Sequence, residues 1–159
     1  MALDRKYHPV VQKAVVAATA AGPLGAFTGP FDMAAVGVIW TTMFVAMTEK
    51  AGVSVDAEFA KKFVATAGTG AASYIGGCKV ATMLFHLIPG AGTFTAMGVS
   101  SALNAVYTLK FANGIGKVFE RRDFGVLDAA DAATIVLGVL CTMPRPSEFQ
   151  EVFQLKNDA

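Results

Sequence analysis

The side chains that could start a reaction are few: the thiols of Cys78 and Cys141 and the imidazoles of His8 and His86. A cysteine nucleophile needs its histidine within hydrogen-bond reach, near ~3 Å. Cys78 and His86 are eight residues apart on one predicted helix, roughly two turns or ~12 Å along its axis, so they do not pair within a straight helix. His86 is read as a structural residue. Gly116-Lys117 suggests a phosphate loop, but that motif needs Gly five positions earlier and Ser or Thr immediately after. Phe111 and Val118 stand there instead. In "GTGAAS", Ser73 replaces the third Gly of a dinucleotide fingerprint, and a helix rather than a strand precedes it. With two histidines and no Cys-x-x-Cys, no metal site is expected. Neither a cofactor nor enzymatic activity is expected, because no catalytic constellation forms.

The elements around these residues read as helices, since the apolar runs are long, Ala-rich and broken by Pro, Gly and Asp rather than by alternation. The expected helices span 9–21, 32–50, 55–87, 94–122, 129–143 and 148–155. Asp32, Ser54, Thr93 and Asp128 are expected as N-caps, and Ser147-Glu148-Phe149-Gln150 as a capping box. Pro30, Pro89 and Pro144 punctuate helix ends. The fold class is all-α: residues 1–159 form a single helical domain of two hairpins with uncharged tips, a short fifth helix and a C-terminal helical tail.

Charge gives the hairpins a direction. Arg5, Lys6 and Lys13 precede the first apolar run; Glu49, Lys50, Asp56, Glu58, Lys61 and Lys62 surround the second connection; Lys110, Lys117, Glu120, Arg121, Arg122, Asp123 and Asp128 surround the fourth. These share one end of an up-down bundle. The first connection, "GPLGAFTGPFD", and the third, "LIPGAGT", share the other end and hold only Asp32 between them. Loops that run over a surface are ordinarily polar, so such tips are expected to be covered by lipid, another copy, a partner, or the fifth helix and tail. The expected contact residues are Phe27, Pro30, Phe31 and Asp32 on one tip and Leu87, Ile88, Pro89, Gly90, Thr93 and Phe94 on the other.

A bilayer span takes about 20 mostly apolar residues, with ~17 as a lower bound. Met33–Thr48 supplies 16 uncharged residues, Ala14–Phe31 supplies 18, Phe63–Leu87 supplies 25 interrupted by Lys79, and Gly92–Leu109 supplies 18. Lys79 at membrane depth costs about 3 kcal/mol unless it snorkels or is paired. Trp40 falls mid-helix instead of at an interface. If the chain inserts, the basic bases lie on the cytoplasmic side. On helix three Gly68, Ala72 and Gly76 recur every four residues, with Ser73 and Gly77 as a second pair, a spacing that lets helices approach closely. Lys117, Arg121 and Arg122, beside Phe119 and Phe124, form a solvated helix end or contact anionic headgroups.

Composition agrees with a covered molecule. Of 159 residues 54% are hydrophobic and 16% charged, against roughly 25% charged in soluble domains; the mean hydropathy is +0.52. A net charge of +1 offers no surplus for a phosphate backbone, so no nucleic-acid partner is expected. Cys78 and Cys141 sit in apolar runs and are expected as buried free thiols. "MALDRKYHPVVQKAVVAATAAG" imitates a secretory signal but is read as the first helix of the mature chain.

Residues 22–120, about two-thirds of the chain, resemble the YcjF-like domain of unknown function, number 697 in its series, which follows the GTPase domain in some bacterial Era-like GTPases. The resemblance is carried by "GPFDMAAVGVIWTTMFVAMTEKAGVSVDAEFAKKFV", with its Pro-x-Asp turn, and by "LIPGAGTFTAMGVSSALNAVYTLKFANGIGKVFE", with its Pro-Gly-x-Gly-Thr tip. It implies a helical module associated with membranes and GTPases, here without a GTPase part, so that any GTPase comes from another chain. The expected function is a non-enzymatic, membrane-associated helical module at the cytoplasmic membrane or its cytoplasmic face, acting by self-association or partner binding. The alternative is a soluble, cytoplasmic homo-oligomer with buried tips, holding a lipid-like or quinone-like ligand.

Overall fold

The computed structural model describes residues 3–28, 30–84, 92–121 and 127–157, with side chains for 3–22, 34–71, 98–121 and 127–157. Among the described residues a 3₁₀ turn, Arg5–Tyr7, precedes six helices: α1 (His8–Thr28), α2 (Pro30–Ala51), α3 (Ala57–Leu84), α4 (Gly92–Phe119), α5 (Ala129–Leu140) and α6 (Pro146–Asn157). The fold is all-α.

The helix ends follow from capping chemistry. Asp128 caps α5, its Oδ1 accepting from the Ala130 and Asp131 N–H groups at 2.8 Å each. Those bonds, led by that of Asp131, hold its carboxyl below the ordinary value. For α3 the cap is Asp56, which accepts from the Phe59 N–H at 2.6 Å, and not Ser54: the helix starts two residues after the expected boundary. α2 starts at Pro30, whose missing N–H costs nothing in the first turn, so Asp32 lies within that turn rather than at the cap. Thr93 likewise falls inside α4. α2 ends in a Schellman motif: Gly52 takes φ +70, while Gly52 N–H and Val53 N–H donate to Glu49 and Thr48 carbonyls. At α6 Glu148, not Ser147, supplies the box, accepting from the Arg145 N–H at 2.7 Å.

α1 corrects the expected first connection. Its helix runs past Gly22 and Pro23 to Thr28, because a proline removes one ladder bond without forcing the following residues out of helix.

α4 is the centre of the bundle. Residues 104–112 are buried on every side, with polar Asn104, Thr108 and Lys110 among them. α1, α2, α5 and α6 all pack against it, α6 also meets α1, and α5 contacts both α4 and α3. Close approaches are made where side chains are absent. A Cβ on Gly22 of α1 would overlap the backbone of Ser101 on α4, and one on Gly114 of α4 would come within 3.1 Å of the Val136 Cα on α5. Gly22→Ala is therefore expected to destabilise by about 1–3 kcal/mol through overpacking. Gly138→Ala on α5, where nothing lies within 4 Å, is expected to stabilise by up to about 1 kcal/mol. Urea unfolding of the two variants checks the opposite signs.

One residue expected at the surface is internal, and one expected buried is not. Lys110, grouped by sequence with the charged base, is a fully buried residue of α4. Its ammonium donates to the carbonyl and hydroxyl of Thr142, both at 2.6 Å, just past the negative end of α5, with the Glu148 carboxylate 3.9 Å away. Trp40 is core: its indole N–H donates to Thr108 Oγ1 at 3.0 Å and its ring stacks on Phe111. Cys141, expected buried, is an exposed free thiol, because it caps the C-terminus of α5 where the apolar stripe has ended.

Candidate functional site: an apolar face on α1 and α2

α1 buries Val11, Val15 and Ala18, and α2 buries Val36, Trp40, Met43, Phe44 and Met47, at the three- and four-residue spacing of a core stripe. The opposite faces do not turn polar as a surface helix ordinarily does. On α2 the outward residues run Ala34, Val38, Thr42, Val45, and the first charge is Glu49. Val38 is 68% exposed and Val45 40%. On α1 the outward residues are Pro9, Lys13, Val16, Ala17 and Ala20, with Val16 50% exposed. Among the described side chains, Lys13 is the one charge on the outward face from Pro9 to Ala20 of α1 and from Ala34 to Val45 of α2.

Between the two helices lies an apolar groove of ≈ 390 Å³ walled by Val10, Ala17, Val38, Ile39 and Met43, with Lys13 as its sole charged lining residue. A second groove, ≈ 510 Å³, separates α2 from α3 above Trp40. A third, ≈ 260 Å³, lies beside α6, where Phe149 and Phe153 overhang Ser101 and Ala102 of α4. None of these three grooves is lined by a histidine or a cysteine. Among the described residues no three His, Cys, Asp or Glu side chains converge on a metal position, and no helix is long and apolar enough to cross a membrane.

The tip residues Phe27, Pro30, Phe31, Asp32, Leu87, Ile88, Pro89, Gly90, Thr93 and Phe94 lie outside the described side chains, as do Ala72, Ser73, Gly76, Gly77, Cys78, Lys79, His86 and Arg122. Gly68 opens on the groove between α2 and α3, with nothing within 4 Å of the place its Cβ would take. Close helix packing falls instead at Gly70, where a Cβ would meet the Leu137 side chain of α5. Lys117 is exposed at a shallow cleft shared with Lys6, Asp4 and Glu120, a mixed rather than purely cationic setting. Arg121 is exposed. The outward face of α1 and α2 was not among the expected contact residues. Its signal is the absence of charge between Ala14 and Thr48 apart from Asp32, which reads equally as a pair of marginal spans. No family model, curated protein or solved structure matches the chain.

Proposed function

We propose that the chain is a non-enzymatic, membrane-associated helical module acting by self-association or partner binding, with the outward face of α1 and α2 as its working surface. The observation that carries this reading is the pairing of exposed Val16, Val38 and Val45 on two adjacent helices with no acidic residue among them. Contiguous apolar surface of this kind marks interaction sites with proteins or membranes. Lys13 sits on the same face and favours an anionic surface. The basic residues at the bundle's base agree with a cytoplasmic-side location, and the resemblance of residues 22–120 supplies the partner class to test first, a separate GTPase.

A second reading is a discrete homo-oligomer free of lipid. It is favoured by a further apolar surface away from α1 and α2: Met143 and Phe153 are exposed at the start of the α5–α6 connection and on α6, more than a single membrane-facing surface uses.

Sedimentation of the full chain with vesicles of mixed neutral and anionic phospholipid, followed by mass determination of the supernatant, tests both. The parent is expected to sediment with vesicles. Val38→Asp is expected to lower the bound fraction at least about tenfold, since burying one valine contributes about 1.5–3 kcal/mol and the carboxylate adds repulsion. A parent that stays in the supernatant overturns membrane association, and a discrete oligomer there that Phe153→Asp dissociates establishes the second reading.

A further inference from the structure

We propose that the groove between α1 and α2 binds a single-chain carboxylate amphiphile, a fatty acid, with its head on Lys13 and its chain along Ala17, Val38 and Ile39. This deepens the reading above by naming a ligand for the same face.

The groove's volume, ≈ 390 Å³, lies within the roughly 300–1,000 Å³ of small-molecule sites, which are mostly apolar with a few placed polar groups. Here the polar groups are Lys13 and Thr42. Thr42 already donates to the Val38 carbonyl at 3.0 Å, so its hydroxyl is oriented within its own helix and Lys13 is left as the recognition group. Lys13 has no acidic partner within ion-pair distance among the described residues, and no carboxylate lines the groove. The charge complement of the site is thus a single anion. One cation beside one apolar channel matches one acyl chain with one negative head, whereas a two-chain phospholipid needs a second channel beside the first.

Direction follows from the antiparallel pairing of the helices. Val10 and Ala46 line the groove nearer the bundle's base, while Ala17 and Val38 line it toward the other end. Beyond them the outward residues Ala20 and Ala34 are small and exposed. The head sits at Lys13, nearer the base, and the chain extends over the small residues Ala17, Ala20 and Ala34, none of them charged.

The test uses the full chain in vesicle-free buffer, so that failure of ligand binding and failure of membrane association are seen separately. Dansyl-undecanoic acid serves as the fluorescent probe below its aggregation concentration, with palmitate and hexadecanol as competitors. Saturable binding is expected, with palmitate displacing the probe at lower concentration than hexadecanol. Lys13→Met keeps the apolar stem and removes the charge; it is expected to weaken palmitate about tenfold, the scale of a lost hydrogen bond to a charged group, and to leave hexadecanol unchanged. Ala17→Phe, at an exposed position that the core does not use, is expected to abolish probe binding while circular dichroism stays that of the parent. Absence of saturable binding, indifference to Lys13→Met, or full binding by a folded Ala17→Phe variant each overturns the proposal. So does probe displacement only by a second copy of the chain, seen as binding that falls as the protein dimerises.

Discussion

Lys110→Ala is expected to lower the stability of the fold by about 3–5 kcal/mol, the scale on which removing one partner of a buried charged contact acts. Lys110 is wholly buried, and its ammonium gathers several groups around it. It satisfies the Thr142 carbonyl and hydroxyl at 2.6 Å each, faces Glu148 at 3.9 Å, and lies 5.8 Å from the centre of the Tyr107 ring. The short bonds to Thr142 carry more of the effect than the carboxylate, which also accepts from the Arg145 N–H and pairs with the exposed Arg145 guanidinium at 3.8 Å. Removing the lysine leaves the carbonyl end of α5 without its cation and opens a cavity beside it. Lys110→Met refills most of that volume and restores no hydrogen bond, so it is expected to lie between the parent and Lys110→Ala. Adding Glu148→Gln to Lys110→Met removes the buried charge left behind and is expected to recover about 1–2 kcal/mol, since replacing both members of such a pair is far milder than breaking it. Urea unfolding reads all three. A loss under about 1 kcal/mol for Lys110→Ala would mean that α6 does not depend on this clasp.

How far the sequence discloses the molecule depends on whether a feature is local. The helices and the Asp128 cap are legible because capping and 3.6-residue periodicity act within a few residues. Ser54 is displaced by Asp56 because both are competent caps, and only the packing of Phe59 and Phe63 against Phe44 fixes which one starts α3. Lys110 is illegible for a deeper reason: its partners, Thr142 and Glu148, lie on elements some 30 residues away, and in a linear reading a lysine between Leu109 and Phe111 groups with the next charges along the chain. Gly22 shares that difficulty, since what makes it necessary is the backbone of Ser101 on another helix. The candidate face was half legible. An uncharged α2 was evident, but whether Val38 or Val36 turns outward depends on where α4 sits, and α4's central place follows from tertiary contacts alone.

The largest single side chain in the core makes the same point with a sharper test. Trp40→Ala is expected to cost about 3–5 kcal/mol, the range for truncating a large buried aromatic, because the indole is 1% exposed and stacks on Phe111 with ring centres 4.3 Å apart. Its place in the middle of α2, puzzling for a membrane-interface residue, is that of a polar-edged core residue whose N–H finds an acceptor 68 positions away in Thr108. A double-mutant cycle separates the hydrogen bond from the packing. Thr108→Val leaves a buried indole N–H without an acceptor and is expected to cost about 1–3 kcal/mol. Trp40→Phe keeps much of the stack and leaves the Thr108 hydroxyl unpaired. The double variant removes donor and acceptor together, so its loss is expected to be smaller than the sum of the two, by about 1 kcal/mol or more. Additivity would mean that the bond contributes nothing and that α2 is held to α4 by ring packing alone. Because α2 presents Trp40 inward and Val38 outward, the cycle also bears on the proposed working surface: a Trp40 variant that stays folded but loosens α2 is expected to weaken vesicle binding without any change to the exposed face.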